Sequence, residues 1–276
     1  MSNLPKEMAK LHRQAQALVD LDRPLTWSER EFVMDNWQAS EDAAHGLDGA
    51  FFTPPGLAVD MSVEAAGPEV QRVLDLCAGI GRLAWASIND MGAPDREMVC
   101  VERNPEYVRV GRKVLPEARW ICADIFDLPE DLGRFDMVIS NPPYGFTERS
   151  GDGPGVTSRR FEYHALAVAA EVGRWGTFLI PQQSAPFRYS GQQNYEVARS
   201  AEYEQFERDT GLSLEMGCSI DTSVHLDQWR GVSPATEIVV CDFTKRTPRT
   251  APEPVPAPAL RSRPAAAAVE AVPTLF

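Results

Sequence analysis

The segment Phe135-Asp136-Met137-Val138-Ile139-Ser140-Asn141-Pro142-Pro143-Tyr144-Gly145 constrains this chain more than any other stretch. A mostly apolar run leads straight into two consecutive prolines, which lack a backbone N–H and cannot continue a sheet ladder. A strand must therefore stop near Ser140, and Asn141, because it precedes a proline, is held extended at the strand end. The Pro142 carbonyl sits beside no competing donor, and the Asn141 side-chain carbonyl stands next to it. Together these two acceptors can take both hydrogens of one amino group. A nitrogen gripped in that way turns its lone pair towards an electrophile. Tyr144 offers a flat face on which a planar ring can stack, and Gly145 lets the chain turn away beneath it. Asn141, Pro142, Pro143 and Tyr144 are the candidate catalytic residues, and the chemistry they suit needs neither a strong base nor a covalent nucleophile.

From residue 50 onward, short β-rich runs alternate with amphipathic stretches. The pattern predicts strands at 72–76, 97–101, 118–121, 135–140, 176–181, 212–219 and 236–243. Helices are expected near 57–66, 81–90, 104–115, 161–173 and 195–210. Such alternation means parallel βα units, hence an α/β fold with a doubly wound, mostly parallel seven-stranded sheet. In such sheets ligands bind beyond the carboxyl ends of the strands, which is where the polar loops 145–161 and 182–195 fall. Ahead of this domain (50–244), residues 1–49 read as a small N-terminal helical extension. Leu4, Met8, Leu11, Ala15 and Leu18 have helical spacing, and Thr26-Trp27-Ser28-Glu29 is a capping box that opens a second helix. Residues 245–276 form the third segment; their Pro/Ala-rich composition cannot bury a core and predicts an extended, disordered tail.

Val73-Leu74-Asp75-Leu76-Cys77-Ala78-Gly79-Ile80-Gly81 is a strand, a glycine-bearing turn and the start of a helix. Gly79 and Gly81 would let backbone approach a ligand closely. About twenty residues on, the next strand ends in Glu102, where doubly wound folds place a carboxylate for ribose hydroxyls. The third strand leads into Asp124 and Ile125, a second acid placed for an adenine amino group. The turn lacks the third glycine of the dinucleotide pattern and no phosphate-directed cation follows it. A nucleoside cofactor without phosphates fits this better than NAD or ATP.

With these motifs in order, residues 50–244 resemble the class I S-adenosylmethionine-dependent methyltransferases, in the branch that methylates amines through an Asn-Pro-Pro-Tyr loop. The resemblance implies S-adenosylmethionine as cofactor, held by Asp75, Ala78, Gly79, Gly81, Glu102, Asp124, Ile125 and Asn141. Phe51-Phe52-Thr53-Pro54 looks like the Phe-Thr-Pro segment with which DNA adenine methyltransferases cover the methionine part of the cofactor, which adds Phe52, Thr53 and Pro54. Residues 176–184 (GTFLIPQQS) resemble the strand and loop that help form the target-base pocket. The implied reaction is methylation of the exocyclic amine of adenine in DNA, with amines in RNA or protein glutamine, or a non-catalytic binding subunit, as the alternatives. Phe146, Phe187 and Tyr189 are candidates to close the far side of a flipped base. Arg149, Arg159, Arg160 and Arg188 are candidates to meet phosphates. The terminal Leu275-Phe276 resembles sliding-clamp-binding peptides, which implies a clamp as a partner.

Charge points the other way. The formal net charge is −13, of which residues 245–276 contribute +3, leaving −16 on residues 1–244. That balance disfavours tight, sequence-independent DNA binding. The five cysteines show no CxxC spacing and His12, His45, His164 and His225 are scattered, so no metal centre is expected. No run approaches the ~18 apolar residues of a membrane span, and a cytoplasmic protein without membrane contact is expected.

Overall fold

The computed structural model describes residues 6–38, 51–67, 69–90, 95–230 and 233–246. Residues 247–276 of the expected tail, with Leu275-Phe276, lie outside the described residues. The chain opens with helices α1 (Lys6–Val19) and α2 (Trp27–Asn36), then α3 (Pro55–Ser62). The next elements are β1 (Arg72–Leu76), α4 (Arg82–Trp85), β2 (Glu97–Glu102), α5 (Pro105–Val114), β3 (Arg119–Cys122) and β4 (Phe135–Ser140). Beyond the candidate catalytic segment come α6 (Phe161–Val172), β5 (Gly173–Pro181), the short strands β6 (Phe187–Arg188) and β7 (Glu196–Val197), and α7 (Ala201–Thr210). Strands β8 (Glu215–Met216) and β9 (Thr236–Asp242) close the described part.

Seven strands form one sheet in the order β3-β2-β1-β4-β5-β9-β8, with β9 antiparallel to both of its neighbours. The order reverses between β1 and β4, so the carboxyl ends of these two strands flank the switch point where doubly wound sheets bind ligands. Their register pairs Val73 with Met137, Leu74 with Val138 and Asp75 with Ile139. Alternate strand residues feed two cores. Val73, Met98, Cys100, Met137, Ile139, Leu179 and Ile238 pack on one face with α3 to α5. Leu74, Val99, Val101, Val138, Phe178, Ile180 and Val239 pack on the other with α6 and α7. Burial on both faces explains why these strands read as near-continuous apolar runs. Ala15 and Val19 of α1 and Val33, Met34 and Trp37 beside them belong to the first core, so the N-terminal helices share the apolar interior of the sheet.

Two expected elements came out differently. Of 212–219 only Glu215 and Met216 pair with β9. Three of the other amides find side chains instead: Leu214 N–H donates to the Tyr203 hydroxyl (2.9 Å), Leu212 N–H to Thr210 Oγ1 (3.2 Å) and Cys218 N–H to the Glu64 carboxylate. Ser219 then leaves the extended region at φ 58°. The helix expected from 195 starts at 201, where Ser200 Oγ accepts from Tyr203 N–H (3.1 Å); residues 196–197 pair instead with 187–188 as a small ribbon.

Candidate functional site

The two strand ends at the switch point are tied together where Ser140 Oγ donates to the Leu76 carbonyl. Beyond Leu76 the glycine loop is tightly wound, with Cys77, Gly79 and Gly81 all at positive φ (63°, 57° and 91°). The two glycines do different jobs. A Cβ on Gly79 would come within 3.2 Å of the Phe52 ring, in the cleft between the loop and the Phe-Thr-Pro segment. A Cβ on Gly81 would meet the Trp120 indole at 2.9 Å, so that glycine makes room for packing against the β3 side chain.

Glu102, only 8% exposed, accepts the Gly79 N–H on one oxygen (2.9 Å) and the Asn104 N–H on the other (2.8 Å). Burial pushes its carboxyl up from the usual range, and the backbone donors partly offset this. A carboxylate has about four acceptor sites, so each oxygen keeps one for a ligand hydroxyl. Asp75 is 1% exposed; one oxygen accepts from Ala84 N–H (3.1 Å) and the other has no hydrogen-bond partner among the described residues. Burial raises its carboxyl to about 8. Asp124, half-buried, accepts from Phe126 N–H (3.0 Å), with Ile125 buried beside it. Ala78 N–H is committed to the Val101 carbonyl (3.0 Å).

On the β4 side the Asn141 amide is held on three sides. Its Nδ2 donates to the Phe51 carbonyl (2.8 Å) and to Thr53 Oγ1 (2.9 Å), while its Oδ1 accepts from the Tyr144 hydroxyl (2.6 Å). This network orients Oδ1 away from the Phe51-Thr53 strap, with one lone pair still open. The Pro142 carbonyl accepts no hydrogen bond among the described residues. Tyr144 packs tilted on Phe51 at 5.8 Å between ring centroids, and burial raises its phenol well above the usual value. Phe51 in turn meets Trp229 edge-on at 6.5 Å, and Pro54 caps α3 by accepting from Ala58 N–H (2.9 Å).

Three features escaped sequence reading. Glu162, fully buried, accepts from Gly145 N–H (2.8 Å) and Ser184 Oγ (2.6 Å), locking the end of the Asn-Pro-Pro-Tyr segment to the loop after β5. Glu237, 1% exposed, gathers the Tyr189 and Ser190 amides and Gln182 Nε2, which fixes the rest of that loop. The strap's grip on Asn141 uses a main-chain carbonyl, which carries no residue signature. Of the aromatic candidates, Phe187 is 1% exposed and packs inside the second core, so it cannot close a base pocket; Phe146 is 62% exposed.

Residues 73–150 match the family described as a methyltransferase domain. Among solved structures, the chain resembles a type I restriction-modification methyltransferase subunit from Streptococcus thermophilus at 14% identity and a TM-score of 0.52, over 77% of this chain and 49% of that one. It also resembles a protein described as a modification subunit of a type I restriction enzyme from Vibrio vulnificus, at 14% identity and a TM-score of 0.50, over 88% of this chain and 51% of that one. At this identity the structural likeness shows a shared fold alone, and the chain spans about half the length of both structures. A methyltransferase domain implies S-adenosylmethionine as its cofactor. The residues fit it: Gly79 lets the loop approach the Phe52 ring more closely than a Cβ would allow, Glu102 keeps acceptor sites, and among the described residues one buried Asp75 oxygen has no partner. Among the described residues there is no cluster of three metal-ligating side chains, and no helix is long and apolar enough to cross a membrane.

Proposed function

We propose that the chain transfers a methyl group to the exocyclic amine of adenine in DNA. The observation that carries this reading is the oriented Asn141 amide beside the unpaired Pro142 carbonyl, at the strand end adjoining the glycine loop. S-adenosylmethionine, when bound, supplies a methyl group on a positively charged sulfur. The chain's own residues prepare the acceptor. Asn141 Oδ1 and the Pro142 carbonyl accept the two amino hydrogens, which draws the nitrogen lone pair out of conjugation with the ring. Because Nδ2 donates two hydrogen bonds, the amide is polarised and Oδ1 becomes a better acceptor. Tyr144 offers its ring to the base while its hydroxyl steadies Oδ1. Glu162, through Gly145 and Ser184, holds the segment in place, so the geometry exists before substrate arrives.

The test is purified protein with methyl-labelled cofactor and unmethylated genomic DNA, structured RNA or a protein extract. Label recovered as N6-methyladenine in DNA supports the reading; label only in RNA or in glutamine overturns the substrate. Asn141→Ala should lower turnover by about 10²–10³-fold, as loss of one preorganised polar group does elsewhere. Full turnover in that variant would refute the role of Asn141.

A further inference from the structure

Immediately beyond the catalytic segment, residues 146–160 form a loop whose base is clasped shut. The Gly145 carbonyl accepts from Phe161 N–H (2.8 Å) and Gly145 N–H donates to Glu162 (2.8 Å). Inside the loop, His164, fully buried, accepts from Gly153 N–H through Nδ1 (2.9 Å) and reaches the Ser158 carbonyl through Nε2 (2.8 Å). Val156 is buried, and Gly153 lies so close to His164 that a Cβ would stand 2.5 Å from its carbonyl oxygen. The loop is thus packed from within and has little entropy left to lose on binding.

Its two arms bring unusual side chains together at the clasp. Phe146 is 62% exposed, the second residue after Tyr144. The guanidinium of Arg159 lies 5.1 Å from the Phe146 ring centroid and that of Arg160 lies 5.4 Å away. Arg160 is committed to the Glu202 carboxylate at 2.5 Å, and Arg149 to Asp152 at 2.8 Å. Arg159 is exposed and makes no ion pair among the described residues. A core explanation fails for both groups, since Phe146 buries little and Arg159 neutralises nothing. On a chain of net charge −13 an unpaired cation held against an exposed ring marks a place where an anion and a flat apolar face are met together. A nucleotide has both.

We infer that Phe146 and Arg159 form a platform for the nucleic-acid strand, stacking the base next to the methylated one and meeting its phosphate. The inference rests on the nucleic-acid reading of the catalytic segment and adds the strand contact that this reading leaves without a residue. Base stacking on an aromatic side chain gives affinity without sequence preference, and one arginine–phosphate contact adds salt dependence. Because the loop is already fixed, little ordering cost opposes binding.

The test is fluorescence anisotropy with an end-labelled, adenine-rich 30-mer duplex of mixed sequence, alongside calorimetry with S-adenosylhomocysteine. Phe146→Ala should weaken duplex binding about 5- to 150-fold, the range that loss of one stacked base gives. Arg159→Ala should make the log–log salt slope shallower by about 0.9, the value of one phosphate contact, and Arg159→Lys should restore the slope. Unchanged S-adenosylhomocysteine affinity in all three variants shows that they are folded. Wild type and variants binding the duplex alike, with the same salt slope, would overturn the platform alone. Wild-type protein that binds S-adenosylhomocysteine but not the duplex would overturn the DNA reading, and the platform with it. Displacement by structured RNA at lower concentration than by unlabelled duplex would overturn DNA as the strand.

Discussion

Asp75 sets up a measurable pH dependence of stability. It lies at the carboxyl end of β1, 1% exposed, with one oxygen on Ala84 N–H and the other without a partner among the described residues. Burial raises its carboxyl from 3.8 to about 8 in the folded chain. The folded state therefore holds a proton that the unfolded state gives up once the pH passes 3.8, and stability falls as the pH rises from there to about 8. The slope for one proton is about 1.4 kcal/mol per pH unit. Asp75→Asn keeps the acceptor for Ala84 and has no charge to bury. The stability of the Asn variant minus that of the wild type should therefore climb by about 1.4 kcal/mol per pH unit between pH 5 and 7 and level off above pH 8. Taking the difference cancels every other group that titrates equally in both proteins. Urea denaturation followed by circular dichroism at pH 5, 6, 7, 8 and 9 measures it, provided the m-values agree. A difference that stays flat from pH 5 to 8 would mean that folded Asp75 is already ionised, and would refute the claim that its free oxygen is uncompensated.

Two further substitutions probe how the candidate catalytic segment is supported. Glu162→Gln replaces one of two accepting oxygens with a donor facing Gly145 N–H or Ser184 Oγ; it should cost about 1–3 kcal/mol in urea denaturation and slow methyl transfer while leaving cofactor affinity near that of wild type. Gly153→Ala sets a Cβ 2.5 Å from the His164 carbonyl oxygen, a backbone atom that cannot swing aside, and should lower stability by about 1–3 kcal/mol in the same assay.

Features written in contiguous residues were legible in the sequence. The stop at Ser140 follows from Asn141-Pro142-Pro143, and β4 ends there. Thr26 and Glu29 form the reciprocal cap that their spacing announced, with Thr26 N–H donating to Glu29 at 2.8 Å and Glu29 N–H to Thr26 Oγ1 at 3.4 Å. What depends on partners far apart in the chain could not be read. Glu162 looks like any helical glutamate until α6 carries it beneath Gly145, and the Phe51 carbonyl that holds Asn141 is 90 residues away and belongs to the backbone. Phe187 misled for the same reason: as one aromatic in a polar loop it looked available, whereas folding sends it into the second core against Tyr195 at 5.7 Å. The segment 212–219 has the composition of a strand, but Tyr203, Thr210 and Glu64 claim its amides first.

The acidic balance weighs less against a nucleic-acid substrate once the carboxylates are placed. Burial pushes the Asp75 carboxyl up to about 8, and Glu102, Glu162 and Glu237 are buried with their oxygens engaged by amides or hydroxyls. On the side of the loops that follow β4 and β5, Asp152 and Glu202 are paired with Arg149 and Arg160, while Arg159 and Arg188 carry no ion pair among the described residues. Beyond about 8 Å in physiological salt, exposed charges elsewhere on the body are largely screened, so a strand at the catalytic segment feels this local arrangement and little of the sum. The sum still matters in one respect: with acids outnumbering the 27 Lys and Arg, non-specific affinity is expected to stay low. On the proposed reading, recognition would come mainly from contacts to the base itself, the stack on Tyr144 and the two acceptors at Asn141 and Pro142. A site of that kind gains its selectivity at the step where the amine is gripped.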